Sequence, residues 1–322
     1  PSSVINIADG AFRGCSGMTQ CIFTKDIQIE KISSSVFSGC ENLESITIPL
    51  SVKTIDSNAF SNCKKLKEIN FQEGNILTQI EYSAFSGCES LESITIPAGV
   101  TSLGGNVFAQ CKNLKEVKFE NGSALTIIGN QAFQECESLG NITIPSGVTS
   151  IGESAFCECD NLKEVEFAEG SVLTDIQSSA FSNCKSLNKI TIPSGVTSLG
   201  SSVFGECRNL KEVEFAKESK LTVIGSNAFY NTVLTKIVIP ASVTKIENYV
   251  FQSCYNLNEI IFLGDFGEFG SENDRYCYDS KKITYYACND TWNSPEAQAF
   301  LNNSSHNLIP NPIHMSEENT SL

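Results

Sequence analysis

The sequence predicts a repeat solenoid, in which one short unit is stacked about eleven times with its strands in parallel. The first observation is a phenylalanine that recurs at alternating spacings of 25 and 23 residues, with a last spacing of 22. Two alternating lengths indicate that a pair of about 48 residues is the duplicated block. The recurring residues are Phe12, Phe37, Phe60, Phe85, Phe108, Phe133, Phe156, Phe181, Phe204, Phe229 and Phe251.

The second observation is a set of apolar positions that keep register with this phenylalanine. The positions eight and five before it are apolar, and a cysteine follows three residues after it in ten of the eleven units. A leucine nearly always stands at position six, and positions nine and eleven are apolar. A single unit would expose these side chains, so only stacking can bury them as continuous ladders. The unit reads V-x-x-I-x-x-x-A-F-x-x-C-x-x-L-x-x-I-x-I-P.

The third observation is strand periodicity at the end of each unit. Ile46, Thr47 and Ile48 alternate apolar and polar, and the proline that follows in every second unit fits a strand end because it cannot donate to a ladder. Parallel strands about 4.8 Å apart would give a curved rod on the order of 50 Å long. The longer units place two extra residues after the strand, as in 71–77, where we expect small bulges.

The phrase C-x-x-L-x-x-I-x-I-P joined to V-T-S-I-G-x-x-A-F resembles the BspA-like leucine-rich repeats, also called the Treponema pallidum type, from Val4 to Leu263. The resemblance implies a right-handed, β-rich superhelix with short parallel strands on the concave face and irregular or short-strand turns on the convex face. It also implies a cell-surface or secreted protein that binds host or neighbouring-cell surface proteins, matrix proteins or glycans. Repeat families keep the scaffold while the partner changes, so the ligand stays open.

The repeat register divides the chain into three segments, with a solenoid at 1–263, a C-terminal cap at 264–300 and a flexible tail at 301–322. In the cap, 283–286 reads as a last strand and 294–300 as a short helix with serine and proline at its start. The sequence is already inside a unit at its fourth residue, without a polar cap. Terminal repeats normally carry a cap, so we expect that upstream sequence is missing.

Composition and motifs disfavour several classes of function. The 37 acidic and 22 basic residues give a net charge of -15, which repels nucleic acid and anionic membranes. No apolar run of about 18 residues predicts a membrane span, and the chain does not open with a signal peptide. The two histidines, His306 and His314, lie in the tail, and no phosphate-binding glycine motif occurs. We therefore predict a protein that is not an enzyme and needs no cofactor.

The fourteen cysteines mostly occupy one repeat position. Stacked side chains lie about 4.8 Å apart, whereas disulfide Cβ atoms converge to about 3.8 Å. We predict a column of buried free thiols, with Cys21 in a core strand position. Cys277 and Cys288 could close a disulfide or remain two thiols, Cys157 has no assigned role, and no C-x-x-C pair indicates a metal site. The column contains Cys15, Cys40, Cys63, Cys88, Cys111, Cys136, Cys159, Cys184, Cys207 and Cys254.

Two groups of carboxylates could carry chemistry, but the simpler interpretation of each is a solvated surface. Glu164 and Glu166 could form a catalytic pair, yet they recur as ordinary exposed strand residues. An acidic loop could hold calcium, but it lacks the ligand order of an EF-hand. This loop contains Asp265, Glu268, Glu272, Asn273 and Asp274.

If the protein binds a partner, the exposed strand positions of the concave face are the predicted site. Turns that carry serine or threonine at these positions alternate with turns that carry charged residues. The positions become more acidic toward the C-terminal half. Large aromatic anchors are missing, which favours a weak, multivalent or charge-dependent contact with a basic protein or a glycan. The alternatives are that these residues only solubilise the sheet, or that the solenoid is a spacer or coat element. The predicted residues are Ser45, Thr47, Glu68, Asn70, Ser93, Thr95, Glu116, Lys118, Asn141, Thr143, Glu164, Glu166, Lys189, Thr191, Glu212 and Glu214.

Overall fold

The computed structural model of the protein describes residues 3–24 and 26–265, together with the backbone of three later strands. Strands and tight turns make up the described residues, and no helix occurs among them. The chain divides into two compact units, Pro1–Ser171 and Val172–Leu322. Each unit consists of turns in which a longer and a two-residue strand alternate, as the apolar register predicts.

The first unit contains thirteen strands in two series. The longer series is β1 (Gln20–Cys21), β3 (Ser45–Ile48), β5 (Glu68–Phe71), β7 (Ser93–Ile96), β9 (Glu116–Phe119), β11 (Asn141–Ile144) and β13 (Glu164–Phe167). The shorter series is β2 (Lys31–Ile32), β4 (Thr54–Ile55), β6 (Gln79–Ile80), β8 (Ser102–Leu103), β10 (Ile127–Ile128) and β12 (Ser150–Ile151). The two-residue strands end at the apolar position five before each phenylalanine.

The second unit repeats both series. Its longer strands are β15 (Lys189–Ile192), β17 (Glu212–Phe215), β19 (Lys236–Ile239), β21 (Glu259–Phe262), β23 (Thr284–Ala287) and β24 (Asn307–Pro310). Its two-residue strands are β14 (Asp175–Ile176), β16 (Ser198–Leu199), β18 (Val223–Ile224), β20 (Lys245–Ile246) and β22 (Glu268–Phe269). In both units the strand pairs are parallel.

From β3 to β13 the longer strands pair most closely across the shorter step along the chain. The shorter step along the chain brings β7 and β9 into register over their whole length, from Ser93 opposite Glu116 to Ile96 opposite Phe119. The longer step leaves β9 and β11 paired only at Glu116 and Asn141, and β5 and β7 in separate sheets. The step from Glu259 to Thr284 is equally long, yet β21 and β23 pair over their whole length. Between β3 and β13 the duplicated block is therefore a structural pair as well as a sequence repeat.

The phenylalanine segment forms a third hydrogen-bonded side of each turn. The N–H of Phe60 donates to the carbonyl of Ala84 in the next turn at 2.8 Å, and Phe133 does the same to Ala155 at 2.7 Å. This side is not a strand, because residues two before and two after each phenylalanine have left-handed backbone, as at Asn58 (φ 57). Glycine and asparagine recur at these positions because they tolerate that conformation, although serine and glutamate also adopt it, as at Ser154 and Glu158.

The core of each unit is a column of stacked phenylalanine rings. The ring centroids of Phe60 and Phe85 lie 5.2 Å apart with planes 3° from parallel, and those of Phe204 and Phe229 lie 5.8 Å apart. The rings from Phe37 to Phe251 are almost fully buried. Leucine, isoleucine and valine ladders fill the remaining interior, so the stacking inferred from the register is observed directly.

The C-terminal segment differs from the sequence prediction in one respect. The predicted last strand is present as β23, but β24 lies within 301–322, which was predicted to be a flexible tail, and pairs in parallel with β23. The apolar pair Leu308 and Ile309 gives this stretch strand character that its polar composition concealed. The predicted helix at 294–300 lies outside the described residues. The predicted domain boundaries remain predictions.

Candidate functional site

The strand face consists of the outward side chains of the longer strands, at positions eight and ten after each phenylalanine. Within each strand these side chains alternate with buried isoleucine or valine, as in β11, where Ile142 and Ile144 are buried. Fifteen of the sixteen predicted residues are exposed, and Ser45 is half-buried. The structure thus places the predicted residues on one face of each unit, in the register that the strand pairs define.

The carboxylates of the strand face in the second unit are already neutralised by a neighbouring lysine. Lys189 Nζ lies 2.8 Å from Glu214 and 3.4 Å from Glu212, and Thr191 donates to Glu214 at 3.0 Å. The hydrogen bond from Lys189 is the main cause of a lowered pKa at Glu214, and the same contact raises the pKa of Lys189. These charges satisfy one another, so they offer less to a partner than the sequence predicts.

The last strand of the first unit carries two strand-face carboxylates that lack a neighbouring lysine partner in the described part of the chain. Glu164 and Glu166 are exposed on β13, and no ion pair engages either of them among the described residues. Glu166 accepts a hydrogen bond from Thr143 at 3.2 Å, whereas Glu116 on β9 is paired with Lys118 at 2.9 Å. The sequence predicts a face that becomes more acidic toward the C-terminal half, but in the first unit β13 carries two carboxylates without an ion pair among the described residues, whereas β5 carries one, Glu68.

The cysteine column has a hydrogen-bonding role that the sequence did not reveal. The thiol of Cys63 donates to the carbonyl of Phe37 in the preceding turn at 3.2 Å, and the thiol of Cys111 donates likewise to Phe85. Burial raises the pKa of both thiols to about 12, so they remain protonated at neutral pH. Thr232, which replaces the cysteine in one turn, lies 3.2 Å from the thiol of Cys254.

Two predicted core cysteines are placed differently by the structure. Cys15 is exposed and Cys21 is half-buried, whereas the other nine of these eleven cysteines are buried. Both lie in the first described turn, where no described turn packs over them. Cys157 is half-buried, and the proposed partners Cys277 and Cys288 lie outside the described residues.

We expect thiol-labelling rates to follow this burial. Iodoacetamide at neutral pH should modify Cys15 first, while Cys111 and Cys136 should react only after the protein unfolds, because both are buried and their pKa values are raised. Peptide mass spectrometry over a time course in native buffer, compared with one in urea, measures both rates. Labelling of Cys111 as fast as that of Cys15 in native buffer would contradict the buried column.

The remaining predictions concern metal binding and membrane insertion. No group of three or more histidine, cysteine, aspartate or glutamate residues is arranged to hold a metal ion within the described part of the chain. In the acidic loop, Glu268 lies in β22, whereas 272–274 are outside the described residues. None of the described residues forms a helix of the length and hydrophobicity needed to cross a bilayer.

The parallel strands and their stacked apolar columns define the class of protein: a parallel-strand β-solenoid with about eleven turns. A family model described as the BspA type leucine rich repeat region, in six copies, matches residues 1–115, 78–188, 126–258 and 174–307. The chain belongs to this family, as the repeat phrase predicted.

Solved structures extend the comparison. The pneumococcal vaccine antigen PcpA is 22% identical with a TM-score of 0.51, and the match covers 91% of this chain and 87% of that one. A leucine rich cell surface protein from Faecalibacterium prausnitzii is 27% identical over 72% of this chain and 76% of its own, with a TM-score of 0.42. The T. pallidum leucine rich repeat protein TpLRR is 26% identical over 66% of this chain and 82% of its own, with a TM-score of 0.45. No curated protein sequence matches the chain.

Proposed function

We propose that this protein is a non-enzymatic surface protein that mediates adhesion or recognises proteins or glycans through its strand face. Its family is one of protein-interaction repeats, and the resemblance to BspA-like repeats favours the cell surface or a secreted state. The observation that carries the proposal is the exposed, uncompensated pair Glu164 and Glu166 on a rigid strand. Carboxylates held in fixed positions attract a basic partner without the cost of ordering a loop.

The proposal is tested first by a binding screen and then by charge reversal. The full chain is offered to arrays of matrix proteins, mucins and glycans, and the best binder is measured by surface plasmon resonance. Reversal of Glu164 and Glu166 to lysine should weaken binding to a basic partner about tenfold or more, because two attractive contacts become repulsive. Reversal of Glu212 and Glu214 should weaken it less, since Lys189 already engages both.

The matched control reverses two exposed carboxylates away from the strand face, Glu73 and Glu169, and thereby makes the same change in net charge. Affinity lost equally in this control would attribute binding to overall charge and not to the face. A chain that retains nothing on any array would favour the alternative function, a spacer or coat element without a ligand of its own.

A further inference from the structure

The second unit contains a cleft where two strand pairs separate. A cavity of about 1000 Å³ lies along β17 and β19, which belong to different sheets, with β15 and β21 respectively. Glu212 and Lys236 open these strands, and the step between them is longer than the step from Lys189 to Glu212 that gives full pairing. The volume is at the upper end of the range typical of ligand pockets, roughly 300 to 1,000 Å³.

Part of the cleft, between its two ends, is apolar. Val238 is the third residue of β19, nine residues after Phe229 because this turn is one residue shorter, and the third residue of every longer strand from β3 to β17 is polar or charged. It lines the cleft with the half-buried Phe215, and with Pro240, Ala241 and Leu263 near the carboxyl ends of the strands. Such a surface fits aliphatic side chains, because their burial away from water favours binding.

The strand edges on both sides direct main-chain groups toward the cleft. The N–H of Ala216 donates to the carbonyl of Ile192 on the β15 side. Because alternate residues of a strand direct their main-chain groups to opposite sides, those of Phe215 face β19. On the β21 side, the carbonyl of Ile239 accepts a hydrogen bond from the N–H of Leu263. By the same alternation, the main-chain groups of Val238 face β17. An extended peptide can use such donors and acceptors.

A buried hydroxyl also lacks a partner in the cleft. Ser242 lines the cavity, and its Oγ is buried without a hydrogen bond to any described residue. Ser51, at the same repeat position in the first unit, donates to the carbonyl of Ile29 at 2.7 Å. An unsatisfied buried hydroxyl destabilises the protein, and a hydrogen bond to a polar group of a bound ligand would offset that penalty.

The charges of the cleft favour an anionic occupant. Lys211 and Lys217 line its two ends, and neither belongs to an ion pair among the described residues. The four residues of β17 and Ala216 separate them, which places them on the order of 20 Å apart in an extended chain. The cleft carboxylates Glu212 and Glu214 are held by Lys189. Glu218 offsets part of the positive charge at the Lys217 end of the cleft. At the Lys211 end, the carboxylates that line the cleft are Glu212 and Glu214, which Lys189 already engages.

We propose that this cleft binds an extended peptide segment of a partner protein, with aliphatic side chains at its centre and acidic residues near its ends. The aliphatic side chains contact Val238 and Leu263, and the acidic ends lie beside Lys211 and Lys217. The peptide main chain uses the unpaired strand edges. This site goes beyond the strand-face function, since it has the opposite charge preference and does not include Glu164 or Glu166, although Thr191, Glu212 and Glu214 of the strand face line it.

Fluorescence polarisation of a labelled peptide tests the site. The probe has about eight residues, two central leucines and aspartates at both ends, and a second probe carries lysines in place of the aspartates. The acidic probe should bind the full chain saturably and the basic probe should not. Lys211→Glu with Lys217→Glu should weaken acidic-probe binding about tenfold, whereas Lys163→Glu, at the repeat position of Lys211 in the first unit, should leave it unchanged.

A second variant fills the cleft directly. Ala241→Trp should abolish binding of the acidic probe, while Ser146→Trp, at the same exposed position of another turn, should not. If Ala241→Trp does not fold, Ala241→Leu replaces it, because Leu50 occupies this position naturally. No saturable binding of the acidic probe, or equal binding by the Ala241 and Ser146 variants, would overturn the proposal. Neither result bears on the Glu164 and Glu166 experiment, so the two functions fail separately.

Discussion

Raising the pH from 8 to 10 is expected to lower the free energy of unfolding by about 3 kcal/mol through Cys63 and Cys111 alone. Burial raises the pKa of Cys63 and Cys111 to about 12, and raises the pKa values of Cys88, Cys136 and Cys159 as well. These thiols stay protonated in the folded state, whereas in the unfolded chain they ionise near 9.0. Each thiol therefore contributes stability that is fully present below pH 9. This contribution is lost as the pH rises from 9 toward the pKa of the thiol in the folded state, at about 1.4 kcal/mol per pH unit.

Urea unfolding followed by circular dichroism at pH 8, 9 and 10 measures this loss. The matched variant is Cys111→Ser, whose hydroxyl keeps a donor for the carbonyl of Phe85 but does not ionise in this range. It should reduce the pH slope above pH 9 by about 1.4 kcal/mol per unit. A free energy of unfolding that is unchanged between pH 8 and 10 would mean that the thiols are not held protonated by burial.

Phe133→Ala is expected to destabilise the protein by about 3 to 5 kcal/mol. The ring is fully buried and stacks on both sides, with centroids 5.4 Å from Phe108 and 5.2 Å from Phe156. Truncation removes both stacks and leaves a cavity that the neighbouring turns cannot close without breaking their hydrogen bonds. Denaturant unfolding of the variant and of the unchanged protein measures the difference in their free energies of unfolding.

Phe12→Ala is the control for that measurement. Phe12 has the same repeat position, but it is 37% exposed and stacks on one described neighbour, Phe37, at 5.6 Å. Its loss should cost roughly a third as much, because less surface is removed from a packed environment. Equal costs at Phe12 and Phe133 would contradict a core formed by two-sided stacking.

The register of apolar residues was sufficient to predict most of the fold. The alternation at Ile46 and Ile48 located β3, and the apolar position before each phenylalanine located the two-residue strands. These predictions succeeded because a side chain repeated at one position can be buried only by its copies in the adjacent turns. The same physical constraint accounts for the phenylalanine column.

The details of the sites could not be predicted in this way. Neutralisation of Glu212 and Glu214 depends on a lysine in the preceding turn, and its distance is fixed only by strand register. The cleft depends on β17 and β19 lying in different sheets, and no single residue of the sequence indicates that separation. Val238, an apolar residue in a polar column, was the available sequence signal.

The pairing of strands in twos between β3 and β13 bears on how such a chain can lengthen or shorten over evolution. Gain or loss of a whole duplicated block preserves the alternation of shorter and longer steps there, so the remaining strands keep their partners. Gain or loss of a single turn would place two like steps side by side, and the strands on either side would have to form new pairs. Full pairing of β21 with β23 across a longer step indicates that a sheet can continue through such a change.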